Sequence, residues 1–121
     1  MTYESVKDWE SKIAPGVRYR IARMSFARRV ELMRQVRELA RRMEFLEAGQ
    51  APGEKMDSAL VKAEVDRLYL IWGLVGVSGL ELDGAAATPA GLAESGPEDL
   101  FREALAAVKA ETGLSGAERK N

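Results

Sequence analysis

Acids and arginines are the side chains here whose spacing could do chemistry, because the chain of 121 residues contains no His and no Cys. That excludes Cys or His zinc sites, Cys nucleophiles, Ser-His-Asp triads, histidine general bases and disulfides. What remains is carboxylate, Lys, Tyr, Ser or Thr chemistry and oxygen-ligated ions. Glu54, Asp57, Glu64 and Asp66 form the densest acidic set. Asp57 and Glu64 are seven apart, close to one helical face, and paired acids can move protons or hold Mg²⁺. No third ligand stands at a fixed spacing, and charges near a helix start account for them better. Gly73, Gly76, Gly79 and Gly84 have the density of a phosphate loop. They follow a helical pattern instead of a strand and lack a Gly-Lys-Ser/Thr, so they read as turns and a strand entry. The expectation is a non-enzyme with no catalytic residue, no metal and no cofactor.

Charge offers the second possibility. The net charge is only −1, yet residues 17–43 hold nine Arg against Glu31 and Glu38, giving +7. Residues 44–121 hold seven basic and fourteen acidic residues, giving −7. Such halves can pair within one fold, across a homo-oligomer or with outside partners. Arg34, Arg37 and Arg41 fall on the face of a helix opposite its apolar stripe, with Arg18, Arg20, Arg28 and Arg29 nearby in sequence. They could hold phosphates, or form a solvated face, or answer the acids further along. Aromatic residues for base stacking are not expected on the exposed face, and no helix-turn-helix, RRM or zinc-finger pattern is present. Nucleic acid is therefore the less favoured partner.

The elements that must position these residues follow from periodicity. Apolar residues make up 46% and charged residues 31%, the usage of an ordinary globular domain. No apolar run approaches the roughly 18 residues of a membrane span, and the N-terminus lacks signal-peptide features. A reducing, cytoplasmic setting is the simplest expectation for a cysteine-free chain. Residues 1–12, anchored only by Trp9, read as a flexible arm; 13–113 as a single compact domain; 114–121 as a frayed tail. Ala14-Pro15-Gly16 signals a turn. Val17–Met24 then alternates, with Val17, Tyr19 and Ile21 on one face, which predicts a half-buried strand.

Ser25 is a helix N-cap, and Leu32, Val36, Leu39, Met43 and Leu46 form the stripe of a helix reaching about Ala48. Gly49 closes it, and Gln50–Gly53 is the connector. A second helix, about Glu54 to Trp72, carries Val61, Val65, Leu68 and Trp72; helices joined by a short Pro-Gly turn usually pack antiparallel. Val77–Leu82, Asp83-Gly84 and Ala85–Ala87 read as a strand, a type I′ turn and a weak return strand, pairing with Val17–Met24. Thr88-Pro89 opens one helical turn, Pro97 opens a last helix ended by Gly113, and Ser115–Glu118 has capping-box spacing. The fold class is α+β, mostly α: three or four helices with a small two- or three-stranded antiparallel sheet. Tyr69, Trp72, Leu74 and Val75 form the most apolar patch, which is core packing or, where exposed, a partner contact.

A resemblance covers most of residues 15–121. It is carried by Pro15-Gly16-Val17-Arg18-Tyr19, by Met24–Leu32 (MSFARRVEL) and by Met43–Gly49 (MEFLEAG). Gly79–Gly84 (GLELDG) with Ala87-Thr88-Pro89, Gly96–Leu100 (GPEDL), and Gly113-Leu114-Ser115 through Glu118–Asn121 complete it. Together these resemble small tail assembly chaperones of tailed phages and prophages. The resemblance implies a non-enzymatic helper in the host bacterial cytoplasm that binds the tape measure protein or the tail tube protein; a homo-oligomer is a separate expectation, from the opposed charge halves and the apolar patch. In many such systems the chaperone is made in two lengths by frameshifting, and Lys120-Asn121 is compatible with a slippery AAA-AAC. On this reading Tyr69, Trp72 and Leu74 supply apolar contact and Arg34, Arg37 and Arg41 supply charge. The other classes left open are a structural virion component of the tail or connector and a nucleic-acid-associated phage protein using the Arg face.

Overall fold

The computed structural model describes residues 1–47 and 54–113. The elements run β1 (Val6–Glu10), β2 (Arg18–Ala22), α1 (Phe26–Glu47), α2 (Glu54–Gly73), β3 (Leu74–Ser78), β4 (Glu81–Leu82), β5 (Ala85–Ala86), α3 (Pro89–Ser95) and α4 (Glu98–Thr112). The fold is mostly helical α+β, with an antiparallel three-stranded sheet in the order β1-β2-β3 and a separate β4–β5 hairpin. The chain forms two compact units: residues 1–24 with 69 onward, and residues 25–68.

In the first unit the sheet is built on β2, whose inward residues Tyr19 and Ile21 are almost wholly buried. The expected arm is in fact a strand. β1 pairs with β2 in the register Lys7↔Ile21, Asp8↔Arg20, Trp9↔Tyr19 and Glu10↔Arg18. Opposed residues share a face, so Trp9 lies beside Tyr19 while Asp8 and Glu10 meet Arg20 and Arg18 on the other face. On β2's other edge the partner is β3, with a bulge between Arg20 and Ile21, and not the β4–β5 hairpin that the Asp-Gly signal suggested. Leu74 follows α2 without a loop, so the strand starts earlier than expected. Gly73 allows this: a Cβ there would collide with Val108 of α4.

Local signals elsewhere act as expected. The Asp83 and Gly84 backbones have φ of 53° and 82°, the conformation of a type I′ turn. The Thr88 hydroxyl accepts the Gly91 N–H at 3.0 Å, with Pro89 at the first position of α3. Pro97 is the cap of α4 and not its first residue, so the helix starts one residue later than expected, and Gly113 ends it in the left-handed conformation. Leu100, Ala104, Leu105, Ala107 and Val108 form the buried face of α4.

The second unit holds α1 and most of α2. Ser25 caps α1, its hydroxyl accepting the Arg28 N–H at 3.2 Å. Leu32 and Leu39 of the expected stripe are buried, while Val36 and Met43 are half-buried. Gly49, the Gln50–Gly53 connector and the Ser115–Glu118 spacing lie outside the described residues. No described helix is long and apolar enough to cross a membrane.

Gly79 gives the sharpest stability test. Its φ is +78°, and an added Cβ would meet the Gly16 carbonyl, whereas Gly84, at φ +82°, faces open space. Gly79→Ala is expected to cost about 2 kcal/mol or more. Gly84→Asn, tolerated in this conformation, is expected to cost well under about 1 kcal/mol. Thermal melting of both variants measures the difference.

Candidate protein-binding groove and the arginine face

In the first unit three donors converge on the Glu103 carboxylate. Ser11 donates its hydroxyl to Oε1 at 2.6 Å, the Lys12 backbone N–H donates to Oε2 at 2.8 Å, and the Tyr19 hydroxyl donates to Oε1 at 2.8 Å. The Ser11 hydroxyl in turn accepts the N–H groups of Ile13 and Ala14 at 3.1 and 2.8 Å. Burial pushes the Tyr19 hydroxyl's pKa up, and the adjacent Glu103 charge adds to it. For Glu103, burial alone would raise the pKa. The donors Ser11, Lys12 and Tyr19 outweigh it and hold the carboxyl below its ordinary value.

Beside this knot lies a groove of about 270 Å³, walled by Trp9, Glu10, Lys12 and Tyr19 from the hairpin and by Glu103, Ala106, Ala107 and Ala110 from α4. The α4 residues form a small-residue wall because Glu103, Ala107 and Ala110 recur at helical spacing. Ala106 and Ala110 are exposed and Trp9 is half-buried. Lys7 sits 5.5 Å from the Trp9 ring centroid. The volume lies just under the roughly 300–1,000 Å³ typical of small-molecule sites, the scale of a few side chains of a docking segment.

The residues singled out from sequence scatter. Trp72 and Leu74 are 8% and 3% exposed, so they are core, and their assignment to partner contact is replaced by packing. Both sit where α2 runs into β3, where backbone pairing draws their side chains inward. Tyr69 is half-buried with Lys109 5.8 Å from its ring centroid. Arg34 is exposed but bound to Glu31 at 2.6 Å, while Arg37 and Arg41 are exposed on α1. Arg18 and Arg20 do not join them. They pair across strands with Glu10 at 3.4 Å and Asp8 at 3.2 Å. Arg23 reaches Glu111 at 3.8 Å. A shallow depression along the second unit, bounded by Arg34, Gln35, Glu38, Arg42 and Leu68, mixes both charge signs and makes a poor phosphate cradle.

Of the four acids weighed for catalysis, Glu64 is exposed, and the side chains of Glu54 and Asp57 lie outside the described residues. Asp66, expected on the surface, is 4% exposed with Lys62 at 3.9 Å. Among the described residues no group of three or more acids is placed to hold a metal ion. The Trp9 groove went unread in the sequence because its walls are 94 residues apart at the Trp9–Glu103 pairing. Comparison of the chain with protein-family models, with curated proteins and with solved structures gives no match.

Two predictions follow the geometry. Glu103 has a depressed folded pKa, so its contribution is full above the unfolded value of about 4.3 and is lost as pH falls through the folded value. Tyr19 has a raised folded pKa, so its contribution is full below the unfolded value of about 10 and is lost as pH climbs above it. Melting temperature against pH should show both limbs in the wild type, the acid limb flattened by Glu103→Gln and the alkaline limb by Tyr19→Phe. Trp72→Ala is expected to cost about 3–5 kcal/mol by leaving a core cavity, measured by urea unfolding.

Proposed function

We propose that this protein is a non-enzymatic, protein-binding assembly factor of the tail assembly chaperone kind, acting in the bacterial cytoplasm on the tape measure or tail tube protein. The observation that carries the reading is the groove between Trp9 and the alanine face of α4, rimmed by Glu10, Lys12 and Glu103. The resemblance in residues 15–121 supplies the choice of client. A long helical client exposes apolar stripes before the tube surrounds it. A shallow groove with an aromatic wall covers one or two such side chains, and the charged rim orients the segment without adding much affinity. Binding of that kind is reversible, as a helper that leaves the product requires. The arginines of α1 favour this reading over nucleic acid, since Glu31 and Glu38 interleave with them and exposed apolar residues share their helix.

The test is co-purification of the tagged protein with the tape measure or tail tube protein, after nuclease treatment, with Ala106→Glu as the groove variant. Ala106 is exposed, so its substitution should alter stability by no more than about 0.5 kcal/mol. Client recovery should fall at least tenfold. Recovery equal to the wild type removes the groove from the binding surface. Retention of nucleic acid alone, lost on nuclease treatment, overturns the chaperone reading.

A further inference from the structure

The helix α1 exposes large apolar side chains on the face opposite its buried stripe. Phe26, Val30 and Met33 are 83%, 37% and 63% exposed. They stand at i, i+4 and i+7, and at 3.6 residues per turn Arg37 and Arg41 continue the same face. The surface therefore has an apolar half at the helix N-terminus and a cationic half beyond it. A nucleic-acid duplex would leave the apolar half exposed, since its phosphates engage only the cations. A protein partner for such a face has carboxylates bordering small or apolar side chains.

That chemistry is present in the first unit of the same chain. No Lys or Arg occurs between Arg67 and Arg102, and this interval holds Glu81, Asp83, Glu94, Glu98 and Asp99, of which Glu98 is paired with Arg102 at 3.6 Å. All five are exposed. They lie on β4, the β4–β5 turn, α3 and the first turn of α4, elements that touch one another through α3. Exposed Ala85, Ala86 and Ala90 lie among them. One surface is basic beside large apolar groups, and the other is acidic beside small ones. Each is complementary to the other and neither to itself.

We propose that the exposed α1 face of one copy docks on the acidic β4–β5/α3 surface of a second copy, a contact between two unlike surfaces of the same chain. The partner is the same chain because the complementary charge and side-chain size are both encoded in it. The contact uses residues other than the Trp9 groove and does not rest on the client reading.

The test is sedimentation velocity of the full chain between about 1 and 200 µM, at 50 and 500 mM salt, where screening shortens the charge interaction to a few ångströms. Concentration-dependent association at low salt, weakened at least fivefold at high salt, is expected. The doubly reversed variants Arg37→Glu/Arg41→Glu and Glu98→Arg/Asp99→Arg should each be monomeric alone. Mixed in equal amounts they should associate again, because a contact between the two variants then joins opposite charges. Phe26→Ser/Met33→Ser should weaken wild-type association at least fivefold. Circular dichroism checks that the variants keep their helix content. A wild type that stays monomeric throughout, or that associates with no dependence on salt, overturns the proposal. So does a mixture of folded charge-reversed variants that stays monomeric.

Discussion

The first unit depends on how one carboxylate is satisfied. Glu103 is drawn partly out of water on α4, and a carboxylate there is tolerated only when donors replace its hydration. The chain supplies a serine hydroxyl, a backbone N–H and a tyrosine hydroxyl, all within 2.8 Å. Two of these come from the turn after β1 and one from β2. The bonds therefore tie the hairpin to the helix and hold β1 in register. With that register set, Trp9 stands opposite Tyr19 and becomes the outer wall of a groove whose inner wall is α4. Two turns further along the same face of α4, Glu111 receives Lys7 and Arg23 at 3.9 and 3.8 Å. One helix face thus holds a marginal edge strand at two places.

The arginines are sorted by this arrangement. Nine of them crowd residues 17–43, which suggests a single basic surface. The strand arginines are answered by the acids of β1 across the ladder, so their charge is spent locally on the exposed sheet face. Exposed pairs of this type contribute little stability. Their effect is to leave the basic character of the chain on α1, where it shares a face with Phe26, Val30 and Met33. A cation next to a large apolar group is a different recognition surface from a row of cations. Its chemical complement is a mixed apolar and acidic face, not a row of phosphates alone.

The molecule thus carries two surfaces of different chemistry, a small apolar groove with a charged rim and a long helix face with separate apolar and cationic halves. Neither is deep, and shallow surfaces of this kind give contacts of moderate lifetime.

The sequence by itself determined the local elements. The Ser25 and Thr88 caps, the Asp83-Gly84 turn, the alternation of Val17 to Ile21 and the α1 stripe of Leu32 and Leu39 each act through neighbours within about one or two helical turns. They appear in the structure where the residues indicate. β1 was not legible, because Val6-Lys7-Asp8-Trp9-Glu10 lacks alternation and becomes a strand only by pairing with β2. Nor was β3 legible at its true start, since Leu74 and Val75 continue the apolar run of α2 and the break depends on the close approach of Gly73 to Val108. Of the six residues chosen from sequence as a partner surface, Arg37 and Arg41 are exposed and free to meet one, while Trp72 and Leu74 are core. Hydrophobicity predicts burial on average but not which apolar residues stay outside, so Phe26 and Met33 were missed. The groove was decided by tertiary structure alone. Its walls come from opposite ends of the chain, and long-range contacts, the bonds to Glu103 among them, bring them together.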